Sequence, residues 1–482
     1  MALDASYLVV DLDGTLLQSD LYWESLIRLL AKNPFFVFLL PLWLLKGKAN
    51  LHHQIARRID LQVDLLPYHE ELISYLGEQK RLGGKIILVS ESNISLVNQL
   101  ADHLNLFEHT LGSTESKLLE GSTKLSKIQN TVGEENFVYI GSKLRDLTIW
   151  SQAAKAIVAN SSPQLLSALE KQCSIVKIIG RNSNRFQSLI EALRLHQWLK
   201  NVLVFVPIAL SHQVTNFTLA LTVTAGFIAF CLCASSVYLI NDLLDLDNDR
   251  RHKTKRYRPL ANGRLSLATG MLAIPILILI ASFLALQTTA EFCLVLAVYF
   301  IITLLYNFRL KAVVFVDVII LAGLYTLRIV SGAALIHVFP TFWLLAFSMF
   351  LFLSLAMVKR VTELVKLARK DAATTVTHHL GRGYVPTDST MLAMLGSSSG
   401  LMAVLVFALY INDPQTRLLY ASPEVLWLIC PFLLYLVGRI WLITMRGDLQ
   451  DDPVVFAISD RRSQLAVALC VGLLWIATNP LM

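Results

Sequence analysis

From residue 199 onward, long apolar runs follow one another with few interruptions, and no other feature restricts the fold so strongly. About nine stretches stand out, at approximately 199–211, 216–240, 267–287, 291–306, 312–336, 342–357, 390–411, 424–444 and 464–481. A helix needs ~20 apolar residues to cross a bilayer, and several of these runs reach that length. In lipid every backbone polar group must find its partner within the segment, so the expected architecture is an all-α polytopic membrane bundle. The composition agrees: 55% of residues are hydrophobic and 16% charged, against about 25% charged in soluble proteins. An ordinary soluble enzyme is excluded. Lysine and arginine crowd alternate connections, at 248–264, 307–311, 358–382 and 445–462, and are nearly absent from the others. The positive-inside rule then places those connections and the N-terminal region in the cytoplasm of an inner-membrane protein, and the C-terminus on the opposite side. The +7 net charge is modest, and its placement matters more than its size. The lipid bilayer is an expected partner and nucleic acid is not.

Hydropathy changes near residue 186, so two domains are expected, 1–186 and 187–482. In the first, short β-branched runs at 7–10, 85–90, 137–141, 156–159 and 175–179 alternate with helical patterns. That spacing predicts a parallel α/β sheet. Residues 19–81 carry no strand signal and read as a helical cap. Inside it, 34–45 is apolar but too short to span a bilayer. It is either a cap core helix or a segment lying on the membrane surface, as Trp43, Lys46 and Lys48 suggest. The six cysteines form no C-x-x-C pair and read as small buried hydrophobes.

Asn241, Asp242, Asp245 and Asp249 stand where the second apolar run meets the cytoplasm. Spacings of three and four put them on one helical face. Converging oxygen ligands suit Mg²⁺, particularly when the ion bridges a substrate phosphate. A solvated acidic helix end would carry the same residues, but carboxylates at membrane depth are costly and usually functional. Lys255, Arg256 and Arg258 follow directly and suit a diphosphate. They also serve as a positive-inside signal.

The run from Asn241 to Asp249, with Lys255, Arg256, Arg258 and Pro259 after it, resembles the first signature of the UbiA superfamily of intramembrane prenyltransferases. The resemblance covers about 187–482 and implies nine transmembrane helices around a central cavity, with Mg²⁺ and phosphate sites at its cytoplasmic end. Asn241, Asp242, Asp245 and Asp249 would be metal ligands, the three aspartates catalytic. The superfamily's second acidic motif is replaced by Lys359, Arg360 and a single acid, Glu363; a cation pair would hold a phosphate directly. The stretches 193–201 (containing Lys200 and Asn201), 306–311 (Tyr306 and Lys311) and 317–328 are similar to the decaprenyl-phosphate phosphoribosyltransferase branch. Leu195 stands where that branch has proline. The resemblance implies transfer of phosphoribose from phosphoribosyl diphosphate to a polyprenyl phosphate. Lys200, Asn201, Lys255, Arg256, Arg258, Tyr306, Lys311, Lys359 and Arg360 would bind substrate. Prenylation of an aromatic or other small acceptor is the alternative, and a transporter or scaffold the alternative of another class. Asp317 and Arg328 are eleven residues apart, on one helical face, and suit either a structural ion pair or a substrate role. Gly396 to Gly400 reads as close helix packing.

Val9-Val10-Asp11-Leu12-Asp13-Gly14-Thr15 follows the first predicted strand, and two carboxylates there suit a nucleophile and an acid around Mg²⁺. The run resembles the first signature of the haloacid dehalogenase (HAD) superfamily, mostly phosphatases with a Rossmannoid sheet. By that resemblance Asp11 and Asp13 are catalytic, Ser90 and Lys124 bind the phosphoryl group, and Asp11, Asp13 and Asp146 hold the metal. Ser142 replaces a carboxylate usual in the family's fourth motif and Lys143 adds a positive charge, so the domain is either an active phosphatase or a retained scaffold.

Overall fold

A computed structural model of the chain describes residues 7–160, 162–180, 184–211, 213–371, 383–418, 420–449, 453, 456 and 460–478. It divides into two compact units: Met1–Arg194 with Tyr238–Pro275, and Leu195–Val237 with Ile276–Met482.

In the first unit, six strands form one parallel sheet: β1 (Tyr7–Asp11), β2 (Lys85–Asn93), β3 (His109–Ser113), β4 (Phe137–Gly141), β5 (Lys155–Ala159) and β6 (Ile175–Ile179). Their order is β3-β2-β1-β4-β5-β6, with Val9 paired to Ile87 on one side and Tyr139 on the other. Successive side chains of a strand point to opposite faces. Leu8 and Val10 therefore enter one core with Leu88 and Ile140, while Val9 enters the other with Val89 and Tyr139. Strands buried on both faces read as continuous apolar runs, which is why β1, β2 and β4 were visible in the sequence. The edge strand β3 was not, because Leu111 is its only buried apolar side chain.

The span 19–81 is helical: Leu21–Lys32, the 3₁₀ turn Pro34–Phe38, Leu40–Leu45, Lys48–Ala56 and Glu70–Arg81. Asp20 caps the first helix by accepting from the Tyr22 N–H. Glu24 on that helix is fully buried. It takes two bonds from Arg250, at 2.6 and 2.9 Å, and one from Arg28 at 2.6 Å. Arg28 also donates to Asp247. This network ties the cap helix to the helix Leu246–Arg251.

Among the described residues seven helices, rather than nine, are long and apolar enough to cross a membrane: Phe217–Leu244, Leu267–Leu286, Ala290–Phe308, Val316–Leu335, Phe342–Arg369, Asp388–Asn412 and Pro423–Met445. The stretch expected at 199–211 forms a 3₁₀ segment, Leu195–Phe205, and a five-residue helix, Val206–Leu210. Pro207 lies in the first turn of that helix, and the pair is shorter than a span. The last stretch forms Arg461–Thr478, whose first turn holds two arginines; its expected end at 479–481 lies outside the described residues, as does 372–382 of the basic connection expected at 358–382. In the second unit a Cβ on Gly396 would stand 2.3 Å from the Trp441 ring, and one on Gly400 2.6 Å from Val437. These glycines permit close helix approach. All six cysteines are free thiols.

Candidate functional site

The C-terminal ends of β1, β2 and β4 bring together the residues expected in the first unit. In an open parallel sheet that edge is where polar groups leaving adjacent strands converge. Lys124 Nζ donates to Asp11 Oδ1 at 2.7 Å and lies 3.6 Å from Asp146 Oδ1. Ser90 Oγ donates to Asp13 Oδ2 at 2.7 Å, and the Leu21 N–H to Asp13 Oδ1 at 2.7 Å. Thr15 Oγ1 donates to Asp11 Oδ2 and also contacts Ser142 Oγ at 3.0 Å. Burial, with Asp20 adding to it, pushes Asp13 up to about 7. Burial and then Asp11 also raise Asp146. The Lys124 ammonium resists burial because Asp11 and Asp146 hold it charged, and its pKa rises. Asp146 Oδ2 is buried with no hydrogen-bond partner. A buried carboxylate oxygen of that kind fits a cation. A cavity of about 420 Å³ opens beside Asp13, walled by Tyr22, Trp23, Leu44 and Leu51, by Lys48, His52 and Arg145, and by the carboxylates of Asp20, Glu91 and Glu120. Sequence reasoning quoted Thr15 in the motif without a role and overlooked Asp20, which only its nearness to Asp13 in the chain marked.

The same unit contains the acidic cluster. The chain leaves the helix Phe217–Leu244, bends at Asp245 and continues as Leu246–Arg251. The Asp245 N–H donates to the Asn241 carbonyl and the Asp249 N–H to the Asp245 carbonyl, which keeps the helical rise through the bend. Asp242 and Asp249 are buried, and Asn241 and Asp245 half-buried. Arg258 joins the two buried carboxylates, donating to Asp242 Oδ1 at 3.1 Å and Asp249 Oδ2 at 2.5 Å. Arg194 also donates to Asp242 Oδ1, its backbone in the left-handed region at φ 52°. Burial pushes the Asp249 carboxyl up although Arg258 pulls it down. Of the three cations expected around a diphosphate, Arg258 is turned onto the aspartates, while Lys255 and Arg256 are exposed. Among the described residues no group of three or more His, Cys, Asp or Glu side chains is arranged to hold a metal. Three carboxylates and an amide nevertheless offer hard oxygens of the kind Mg²⁺ takes. Arg194 was not singled out as a site residue; it lay within the 193–201 stretch.

In the second unit, Arg360 is buried and all three of its guanidinium nitrogens are engaged. Nε donates to Asp317 Oδ2 at 2.5 Å, Nη1 to Glu363 Oε2 at 2.6 Å and Nη2 to the Tyr306 hydroxyl at 3.0 Å. The Tyr384 hydroxyl donates to Asp317 Oδ1 at 2.5 Å. The neighbouring Lys359 is half-buried, as is Lys311. Arg328 belongs to a different cluster from Asp317: Nε donates to Asn201 Oδ1 at 2.8 Å, and its guanidinium lies over the rings of Phe230, Tyr299 and Tyr325. Eleven residues along a helix is ~16 Å, so one face holds both without contact. Lys200 is buried with its ammonium 5.9 Å from the centre of the Tyr325 ring.

Among the described residues seven helices are long and apolar enough to cross a membrane, which marks a multi-pass membrane protein. The chain belongs to the UbiA prenyltransferase family, whose model matches residues 202–457. Over 96% of its length it is 35% identical to the uncharacterized protein y4nM of Sinorhizobium fredii, covering 89% of that protein. It is 30% identical to the decaprenyl-phosphate phosphoribosyltransferase of Mycolicibacterium smegmatis, across 62% of this chain and 93% of that one. Among solved structures, the UbiA homologue of Archaeoglobus fulgidus bound to GPP and Mg²⁺ is 17% identical, with a TM-score of 0.46, over 60% of this chain and 99% of that one.

Proposed function

We propose that the chain transfers phosphoribose from phosphoribosyl diphosphate to a polyprenyl phosphate. The observation that carries this reading is the occupancy of the second acidic position. There Arg360 is an interior ion pair with Asp317 and Glu363, so one acidic cluster is left where two would hold a prenyl diphosphate. The mycobacterial relative's name supports the same branch. In the reaction, a phosphate oxygen of the lipid forms a bond to the anomeric carbon, and the bond from that carbon to diphosphate breaks. Asn241, Asp242, Asp245 and Asp249 would hold Mg²⁺, which supplies charge neutralisation for the departing diphosphate. Arg258, already seated on Asp242 and Asp249, with Lys255 and Arg256, binds the diphosphate oxygens. Lys359 and Lys311 bind the lipid phosphate. Arg360 positions the helix carrying Lys359, and Tyr306 holds Arg360. Lys200 and Asn201 order the aromatic cluster around Arg328. The basic connections, and with them the first unit's sheet, face the cytoplasm.

The first unit is a HAD-like phosphatase acting on a phosphate ester with an apolar portion, a class the cavity beside Asp13 accommodates. Asp11 attacks phosphorus as the ester P–O bond breaks, forming an aspartyl phosphate that water then hydrolyses to inorganic phosphate, while Lys124 and Ser90 hold the cluster in register. Asp13, with a pKa of about 7, carries a proton to the departing oxygen at neutral pH. Asp146, with its unpartnered oxygen, joins Asp11 and Asp13 in holding a cation that neutralises the phosphoryl group. Its substrate is the phosphorylated lipid made by the transferase, and removing the phosphate pulls the transfer forward.

One assay tests both halves. The full chain with Mg²⁺ is given polyprenyl phosphate and labelled phosphoribosyl diphosphate, or polyprenyl diphosphate and an aromatic acid. Label should enter lipid in the first mixture; entry in the second alone assigns the chain to aromatic prenylation. Asp11→Asn should let the phosphorylated lipid accumulate, and an unchanged product ratio refutes the phosphatase.

A further inference from the structure

The residues Pro34–Leu45 have an apolar side that the cap does not bury. Twelve residues, Pro34-Phe35-Phe36-Val37-Phe38-Leu39-Leu40-Pro41-Leu42-Trp43-Leu44-Leu45, contain no charge. Phe36, Leu40 and Trp43 turn inward onto Leu26, Leu29, Leu51 and Ile55. Phe35, Phe38 and Leu45 turn outward, 73%, 72% and 84% exposed. An apolar ridge of this kind on a sheet domain marks a surface that something covers.

Two observations say what covers it. Met271, in the second turn of the apolar span Leu267–Leu286, packs against the same cluster that holds Phe36, Leu40 and Trp43. The ridge therefore sits at the level where a membrane span begins. The second is charge. A cavity of about 430 Å³ adjoins the ridge, lined by Lys32, Phe36, Arg57, Arg58, Ile59 and Asp60. The Arg58 guanidinium lies 4.7 Å over the Trp43 ring, and Lys32 Nζ donates to the Arg58 carbonyl at 3.1 Å. Exposed Lys46 and Lys48 follow the helix. Apolar side chains flanked by cations, with a tryptophan at the boundary, are the chemistry of an interfacial anchor in an anionic leaflet. Twelve residues are too few to span the bilayer.

We propose that Pro34–Leu45 docks on an anionic phospholipid leaflet. Phe35, Phe38 and Leu45 lie among the acyl chains, and Lys32, Arg57 and Arg58 receive a lipid headgroup phosphate. The first unit is thereby held against the membrane by an element separate from its covalent links to the spans.

The test uses the full chain in nanodiscs of phosphatidylcholine, with or without phosphatidylglycerol, carrying Phe38→p-benzoylphenylalanine. Irradiation should give phospholipid adducts detectable by mass spectrometry, more abundant with phosphatidylglycerol. Arg57→Glu, and separately Lys46→Glu, should each lower the phosphatidylglycerol adduct about thirtyfold, since reversing a charge doubles the free-energy bias of one basic residue near an anionic surface. Hydrogen exchange of β1, unchanged in either variant, checks that the sheet is intact, and Lys46 is exposed enough to serve if Arg57→Glu disturbs the cap. Adducts to protein in place of lipid mean that another copy covers the ridge and overturn the proposal. Lipid adducts indifferent to phosphatidylglycerol and to both variants overturn it as well.

Discussion

Replacing Glu24 by glutamine tests the buried network that ties the cap to the helix following the acidic cluster. Burial alone would raise the Glu24 carboxyl, but Arg250 and then Arg28 outweigh it and bring it from 4.5 down to about 2. Each pH unit of displacement corresponds to ~1.4 kcal/mol, so folding favours the ionised form by ~3 kcal/mol. Because the folded value lies below the unfolded one, that contribution is complete above about pH 4.5 and is lost as pH falls through about 2. The amide variant loses it at every pH and leaves Arg250 and Arg28 with less compensation. Urea unfolding of the full chain in detergent, followed by tryptophan emission, should show the variant ~3 kcal/mol less stable at pH 7. Between pH 5 and pH 2 the wild type should lose stability that the variant does not. A variant within ~0.5 kcal/mol of wild type at pH 7, the ordinary range of surface changes, refutes the reasoning. So does an equal acid dependence in both proteins.

Asp249→Asn should lower phosphoribosyl transfer at least ~100-fold, since the Mg²⁺ that would neutralise the departing diphosphate loses a carboxylate ligand, measured as label entering lipid at saturating Mg²⁺. Hydrolysis of a soluble alkyl phosphate should fall as pH rises past about 7, where Asp13 loses its proton. Asp20→Asn removes a neighbouring negative charge, so that falling limb should move to lower pH in the kcat profile; an upward move contradicts the assignment of Asp13. Gly396→Ala places a methyl group 2.3 Å from the Trp441 ring and should cost ~1–3 kcal/mol by overpacking, seen as a lower thermal midpoint in detergent.

The cluster at the sheet's edge was legible residue by residue, because strand ends and short motifs fix which side chains meet: Asp11, Asp13, Ser90, Lys124 and Asp146 all converge. The acidic cluster was legible as chemistry but not as geometry. Arg258 was expected on a diphosphate and is seated between Asp242 and Asp249, since carboxylates three to seven residues apart on a bent helix gather any cation within reach. Arg360 was expected on a lipid phosphate, and its three nitrogens instead satisfy Asp317, Glu363 and Tyr306.

The sequence by itself determined the membrane-spanning class, the parallel sheet and the residue types of both sites. Hydropathy, two- and four-residue periodicities and short motifs are local, and the hydrophobic effect acts on them wherever the chain goes. Tertiary structure alone decided who pairs with whom. Glu24 meets Arg250 across 226 positions and Asp317 meets Arg360 across 43. A buried charge takes the partner that packing brings within ~3 Å, and no pattern along the chain records that distance.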